Sequence, residues 1–143
     1  MITAEKARDP TEARSFNVIM EAIVMGALGE DGFKRLVSAF YRRVRGDDLI
    51  GPMYPEDDWE GSERRLADFL IFRFGGSDRY IQERGHPRLR MRHAQFSIGE
   101  PERDRWLHLM GGAMDEVALS GEPRQHLDEF FAQVADFLRN REE

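Results

Sequence analysis

The sequence predicts an all-α fold. Apolar residues recur three and four positions apart in several segments, and no segment alternates cleanly with period two. Glycine and proline breaks divide the chain into about six helical stretches, several of them short. These interruptions argue against an up-and-down bundle of equal helices.

Residues 1–14 carry mixed charge and little periodicity, and read as a flexible arm. From Phe16 to Leu28, the residues Phe16, Ile19, Ala22, Ile23 and Gly26 stand at helical spacing. Gly29 and Gly32 bracket a break. From Phe33 to about Arg45, Phe33, Leu36, Val37, Phe40, Tyr41 and Val44 form one apolar stripe, the mark of an amphipathic helix. Gly46-Asp47-Asp48 ends it with turn chemistry. Leu49–Tyr54 is short and interrupted by Gly51-Pro52. Asp57 or Asp58 is placed to cap the next helix, with Glu60 and Glu63 near its positive end. Leu66, Phe69, Leu70 and Phe74 continue that helix, and Gly75-Gly76 stops it.

Asp78–Gln82 suits a helical turn. Gly85-His86-Pro87 is a break, and Pro87 is placed to start a short helix carrying His93. Gly99-Glu100-Pro101 opens a long helix in which Trp106, Leu109, Met110, Ala113 and Val117 share a face. Gly111-Gly112 weakens it by about 1 kcal/mol per glycine. Gly121-Glu122-Pro123 opens the last helix, with Leu127, Phe130, Phe131, Val134, Phe137 and Leu138 as a wide apolar face.

The 143 residues suit one domain large enough for a core and an enclosed ligand. No apolar run reaches the roughly 20 residues of a membrane helix, and residues 1–10 lack a signal-peptide core. The sequence has no cysteine, which excludes disulfides, thiolate metal sites and cysteine nucleophiles. Cytoplasmic residence is the expectation. A net charge of −6 disfavours a nucleic-acid binder, which needs clustered positive charge. The one dense basic cluster is Arg84, Arg88, Arg90 and Arg92, with His86 and His93 among them.

Four histidines are candidates for chemistry. His126 and His108 read as solvated or structural, and His86, before a proline, as a hydrogen-bonding residue. His93 sits between basic residues and Ala94-Gln95-Phe96, with Leu89 and Met91 nearby. His-Glu-x-x-His, Glu-x-x-His, glycine-rich phosphate loops and Gly-x-Ser-x-Gly are all missing. A single histidine still suffices for an iron whose other four ligands come from a porphyrin. Such a site needs a large apolar slot, and the chain has 10 Phe, 3 Tyr and 2 Trp to line one.

Four runs point to a family. They are Met53-Tyr-Pro-Glu-Asp-Asp58, Phe74-Gly-Gly76, Arg84-Gly-His-Pro-Arg-Leu-Arg-Met-Arg-His-Ala-Gln-Phe96 and Glu102-Arg-Asp-Arg-Trp106. Together they resemble the truncated haemoglobins of group II, the O-type, over about residues 22–138. In this chain the family's first glycine pair is Leu28-Gly29, with Gly32 displaced. The resemblance implies a two-over-two helical sandwich around haem b (iron protoporphyrin IX), with residues 15–143 as the haem-binding domain. It implies His93 as the proximal iron ligand and Tyr41, Tyr54 and Trp106 in the distal pocket. Ser62 falls where the distal helix faces the iron, Leu66 is an apolar wall one turn later, and Phe69 lines the pocket. Arg92 and Arg65 are candidates to pair with the haem propionates.

On this reading the other ring nitrogen of His93 donates to a carbonyl or nearby acceptor, which orients the ring. The tyrosine hydroxyls and the indole N–H donate to bound oxygen and slow its release. Without the resemblance, Trp106 and Tyr41 read as core residues and the arginines as a solvated face. The expected function is binding of oxygen, nitric oxide or another small diatomic. The alternative is an enzyme for nitric oxide dioxygenation or peroxide-dependent oxidation, served by a partner reductase because the chain is too short for a flavin domain. A third class is a module that lacks haem and binds an acidic partner through Arg84–Arg92. Neither nucleic acid nor membrane is an expected partner. The family is often homodimeric, and no sequence feature here decides the oligomeric state.

Overall fold

A computed structural model describes residues 10–141. Among them there are helices and no strand. Helix α1 is described over Pro10–Arg45. The helix therefore takes in residues 10–14 of the expected arm, and residues 1–9 lie outside the described residues. Its one irregular point is Gly29, at φ 65° and ψ 176°, the left-handed region that glycine enters freely. The predicted break is thus at Gly29 alone, and Gly32 is helical.

The two halves of α1 fared differently as expectations. Phe33, Leu36, Val37, Phe40, Tyr41 and Val44 are all buried, as their spacing predicts. In the first half the buried residues are Met20 and Val24, while Ile19 is 57% exposed. The face is turned by one position from the expected stripe, because Met20 and Val24, one turn apart, are the pair aimed at the core.

A short 3-10 turn, Gly51–Met53, follows α1. Asp47 holds the approach to it by accepting from the backbone N–H groups of Leu49 (3.0 Å) and Ile50 (2.9 Å) and from Arg105 (2.5 Å). Burial alone would raise the Asp47 carboxyl. The Ile50 N–H and Arg105 outweigh it and hold the group below the usual aspartate range. A Cβ on Gly51 would lie 2.7 Å from the Val44 carbonyl oxygen, so the turn sits directly on the end of α1.

Helix α2 spans Trp59–Arg73. Asp58 occupies its N-cap position without a side-chain cap; its carboxylate instead accepts from Arg65 at 3.0 Å. Helices α3 (Arg79–Arg84) and α4 (Leu89–Arg92) are short. Pro87 does not start α4. Arg88, at φ 45°, is its left-handed N-cap, and His93 is its C-cap rather than an interior residue. Helix α5 (Glu100–Glu116) begins where the Glu102 carboxylate accepts from the Gly99 N–H at 2.8 Å. Helix α6 (Gly121–Phe137) ends with Phe137 outside the core, 56% exposed beneath the Arg90 guanidinium. Its predicted apolar face therefore stops short of Phe137.

Helices α1 and α2 pack as one pair, α5 and α6 as another, and α1 lies against both members of the second pair. This is the expected two-over-two arrangement. Ring contacts bind the layers: Phe33 stacks on Phe74, and Phe74 meets Phe130 edge-on. No helix among the described residues is long and apolar enough to cross a membrane.

Candidate functional site

Tyr41 projects from the last turns of α1 and is 4% exposed. Its hydroxyl donates to the backbone carbonyl of Ser62 on α2 at 3.2 Å. The turn after α1 brings Tyr54 to it, with ring centroids 5.5 Å apart and edge-on. Trp59 stacks on Tyr54 at 5.5 Å and also meets Tyr41 edge-on. From α5, Trp106 packs between Phe40 (5.0 Å) and Phe131 (5.3 Å). One continuous aromatic wall thus joins α1, α2, α5 and α6.

The hydroxyls in this wall are kept neutral. Burial pushes the Tyr41 hydroxyl well above the usual tyrosine range, and the proximity of Tyr54 adds to it. Burial raises Tyr54 to about 12, against hydrogen bonding from the Trp106 indole and the Tyr41 hydroxyl, which favours the anion. Tyr41 has one proton and two acceptors nearby, the Ser62 carbonyl and the Tyr54 oxygen. The Trp106 indole, which can only donate, lies within reach of the Tyr54 hydroxyl.

The other predicted residues of this side lie on α2. Ser62 is buried, and its hydroxyl accepts from Arg65 at 3.3 Å. Leu66 is half-buried against the core, and Phe69 is buried and edge-on to Tyr80. Tyr41, Tyr54, Ser62, Arg65 and Trp106 are therefore brought into one group by direct contacts. Trp59 belongs to it as well. The sequence reading missed Trp59, though an aromatic residue directly after the Asp57-Asp58 pair was a usable signal.

His93 and Arg92 belong to a second segment. The His93 Nδ1 lies 2.7 Å from the Leu89 carbonyl oxygen. A carbonyl only accepts, so the proton sits on Nδ1 and the Nε2 lone pair is available to a metal. The ring is half-buried, 6.4 Å from that of Phe96. Arg92 donates from Nε to the Pro87 carbonyl (2.8 Å) and from Nη2 to the Arg84 carbonyl (3.0 Å). It stitches the loop before α4 to the helix. Both arginines proposed for anion pairing are thus already engaged within the chain. Arg84 differs: its Nε is buried without a hydrogen-bond partner. A buried donor of this kind suits an anionic group brought by a ligand.

The remaining histidines take lesser parts. The His86 Nδ1 accepts from the Arg88 N–H at 3.2 Å, and His108 is exposed. His126 is half-buried against the edge of Phe74 rather than solvated, and burial lowers its pKa.

Comparison with known proteins places this geometry. The bacterial-like globin family matches residues 24–140. A group 2 truncated haemoglobin of Bacillus subtilis, YjbI, is 42% identical over 114 residues, covering 80% of this chain and 82% of that protein. The X-ray structure of a thermostable haemoglobin from Thermobifida fusca superposes with a TM-score of 0.80 at 44% identity, covering 84% of this chain and 98% of that one. A truncated oxygen-avid haemoglobin from Bacillus subtilis superposes with a TM-score of 0.78 at 38% identity, over 82% of this chain and 98% of that one.

Proposed function

The chain belongs to the bacterial-like globin family, and from that premise we propose that it retains oxygen or another small diatomic at a haem iron held by His93. Membership makes it a haem-binding globin whose cofactor is haem b and whose ligand is oxygen. The finer reading assigns roles to its own residues. When bound, the haem supplies an iron with one coordination position open to a small ligand. The residues present fit that group. His93 offers a neutral Nε2 with its Nδ1 proton already committed to Leu89. Arg84 offers a buried Nε lacking an acceptor, and we assign it to a haem carboxylate ahead of Arg65 and Arg92.

The observation that carries the binding reading is the gathering of two tyrosine hydroxyls and an indole N–H, those of Tyr41, Tyr54 and Trp106, in one rigid aromatic wall. A diatomic that takes up partial negative charge is stabilised by such a fixed donor, by about 1 kcal/mol or somewhat more in a dry pocket. Tyr41 and Trp106 orient Tyr54 and stand as further donors. Slow ligand release follows, which suits retention better than transport.

The first test is a visible spectrum of the protein with added haem in ferric, ferrous and carbon monoxide forms. A sharp, ligand-responsive Soret band is expected, and a spectrum like that of free haem overturns the reading. Nitric oxide dioxygenation or peroxide-dependent oxidation would require a reductase partner. Sustained consumption of nitric oxide or peroxide with a reductant selects that enzyme role, and stoichiometric oxidation that stalls selects the binder.

A further inference from the structure

None of the four residues of helix α4 is fully buried and of them Leu89 alone packs against the core, so packing alone does not fix the His93 segment. After His93 the chain runs to α5 with little regular structure. Phe96 donates its N–H to the His93 carbonyl at 3.0 Å. The next contacts come from far along the sequence. The Asn140 N–H donates to the Ile98 carbonyl (2.8 Å), and the Asn140 Oδ1 accepts from the Ile98 N–H (2.8 Å). The Asn140 Nδ2 donates to the Phe96 carbonyl (2.6 Å). Arg141 donates from Nη1 to the Ser97 Oγ (2.7 Å) and from Nη2 to Glu102 (2.7 Å). That same Glu102 oxygen receives the Gly99 N–H.

We propose that Asn140 and Arg141 are positioning residues for His93, acting as a latch that fixes residues 96–99 and, through Phe96, the carbonyl and ring of His93. The proposal rests on the reading of His93 as the iron ligand. Four consecutive residues are pinned by polar contacts, three of them by Asn140 and Arg141, three and four positions beyond the end of α6. The Asn140 amide matches the backbone on both its donor and acceptor sides, so it sets position as well as proximity. The Arg141–Glu102 contact ties the latch to the start of α5. Burial alone would raise the Glu102 carboxyl; the Gly99 N–H and Arg141 hold it below the usual range, so it stays a charged acceptor at neutral pH.

The test compares the full chain with Asn140→Ala, Asn140→Asp and Arg141→Ala. The first readout is amide hydrogen exchange at Ile98, made on haem-free and haem-loaded protein. Exchange about tenfold faster in Asn140→Ala is expected. Asn140→Asp keeps an acceptor for Ile98 but no donor for Phe96, and is expected to fall between. The second readout is the iron–histidine stretching band of the ferrous form, with ferric haem loss to an apoglobin acceptor. A shifted or broadened band and severalfold faster loss are expected. Ile98 exchange like the parent's overturns the latch, and faster exchange with an unchanged band and unchanged haem loss overturns its action on His93. The ligand reading fails separately, if the band of the parent survives in His93→Gly. Arg141→Ala loosens the same loop by a different contact, so the proposal stays testable if one Asn140 variant folds poorly.

Discussion

The aromatic wall and the His93 segment are built by opposite means. In the wall, Tyr41, Tyr54, Trp59, Phe40, Trp106 and Phe131 touch ring to ring across four helices, and most of their contacts are apolar. Around His93 the four-residue helix α4 has no fully buried residue. Its order comes from side chains reaching the backbone: Arg92 donates to the Arg84 and Pro87 carbonyls, and the Asn140 amide donates to the Phe96 carbonyl and accepts from the Ile98 N–H. Dense ring packing holds a donor within a few tenths of an ångström and resists small losses. Polar stitching is made of separate bonds, each removable by one substitution. The geometry of the wall thus rests on many shared contacts, whereas that of the His93 segment rests on a few separable ones.

The strongest way to break this contrast is His93→Ala. It is expected to abolish stable haem uptake, seen as loss of a tight Soret titration, while the folded helices remain. Full haem retention with an unchanged spectrum removes His93 as ligand. Next is Phe40→Ala in the wall, where Phe40 is fully buried and supports both Tyr41 and Trp106. A loss of about 3–5 kcal/mol in denaturant unfolding is expected. A loss below about 1 kcal/mol would mean that the wall is not self-supporting.

Smaller effects sharpen the account of the wall. Tyr54→Phe and Trp106→Phe are each expected to speed oxygen dissociation about five- to tenfold, the worth of one hydrogen bond. Tyr41→Phe acts in the same direction, through loss of the hydroxyl that lies beside Tyr54 and ties α1 to Ser62. Unchanged dissociation in all three would leave the wall as core only. The smallest effect is at alkaline pH. Tyr54 is raised from 10.0 to about 12 in the folded protein, so its contribution is complete below about pH 10 and is lost as pH rises towards 12. Alkaline unfolding should begin later in Tyr54→Phe. The same onset in both chains would show that Tyr54 titrates as in the unfolded chain.

The wall was also the more legible region. The stripe from Phe33 to Val44 stated in sequence which face of α1 is buried, because dense helical periodicity leaves one solution. The first half of α1 was harder. Its apolar residues are spread round the helix, and only the packing shows that Met20 and Val24, rather than Ile19, face inward. His93 was legible only through the resemblance of its surrounding run, since a lone histidine has no periodic signature. The Leu89 contact, the engagement of Arg65 and Arg92, and the open Nε of Arg84 depend on where long side chains end. Sequence spacing does not encode such end points. The contacts of Asn140 and Arg141 span 39 to 44 positions, beyond any local pattern.

Gly51 has a bearing on gas handling that its missing side chain conceals. The turn that carries Tyr54 lies against the Val44 carbonyl with no clearance for even a methyl group. A Gly51→Ala change would force the turn off the Val44 carbonyl and displace Tyr54, three residues on. On the proposed reading, the residence time of a gas molecule would then depend partly on a position that never meets it. Anyone retuning the retention of such a protein, without altering the surface its ligand sees, has a point of adjustment beneath this turn.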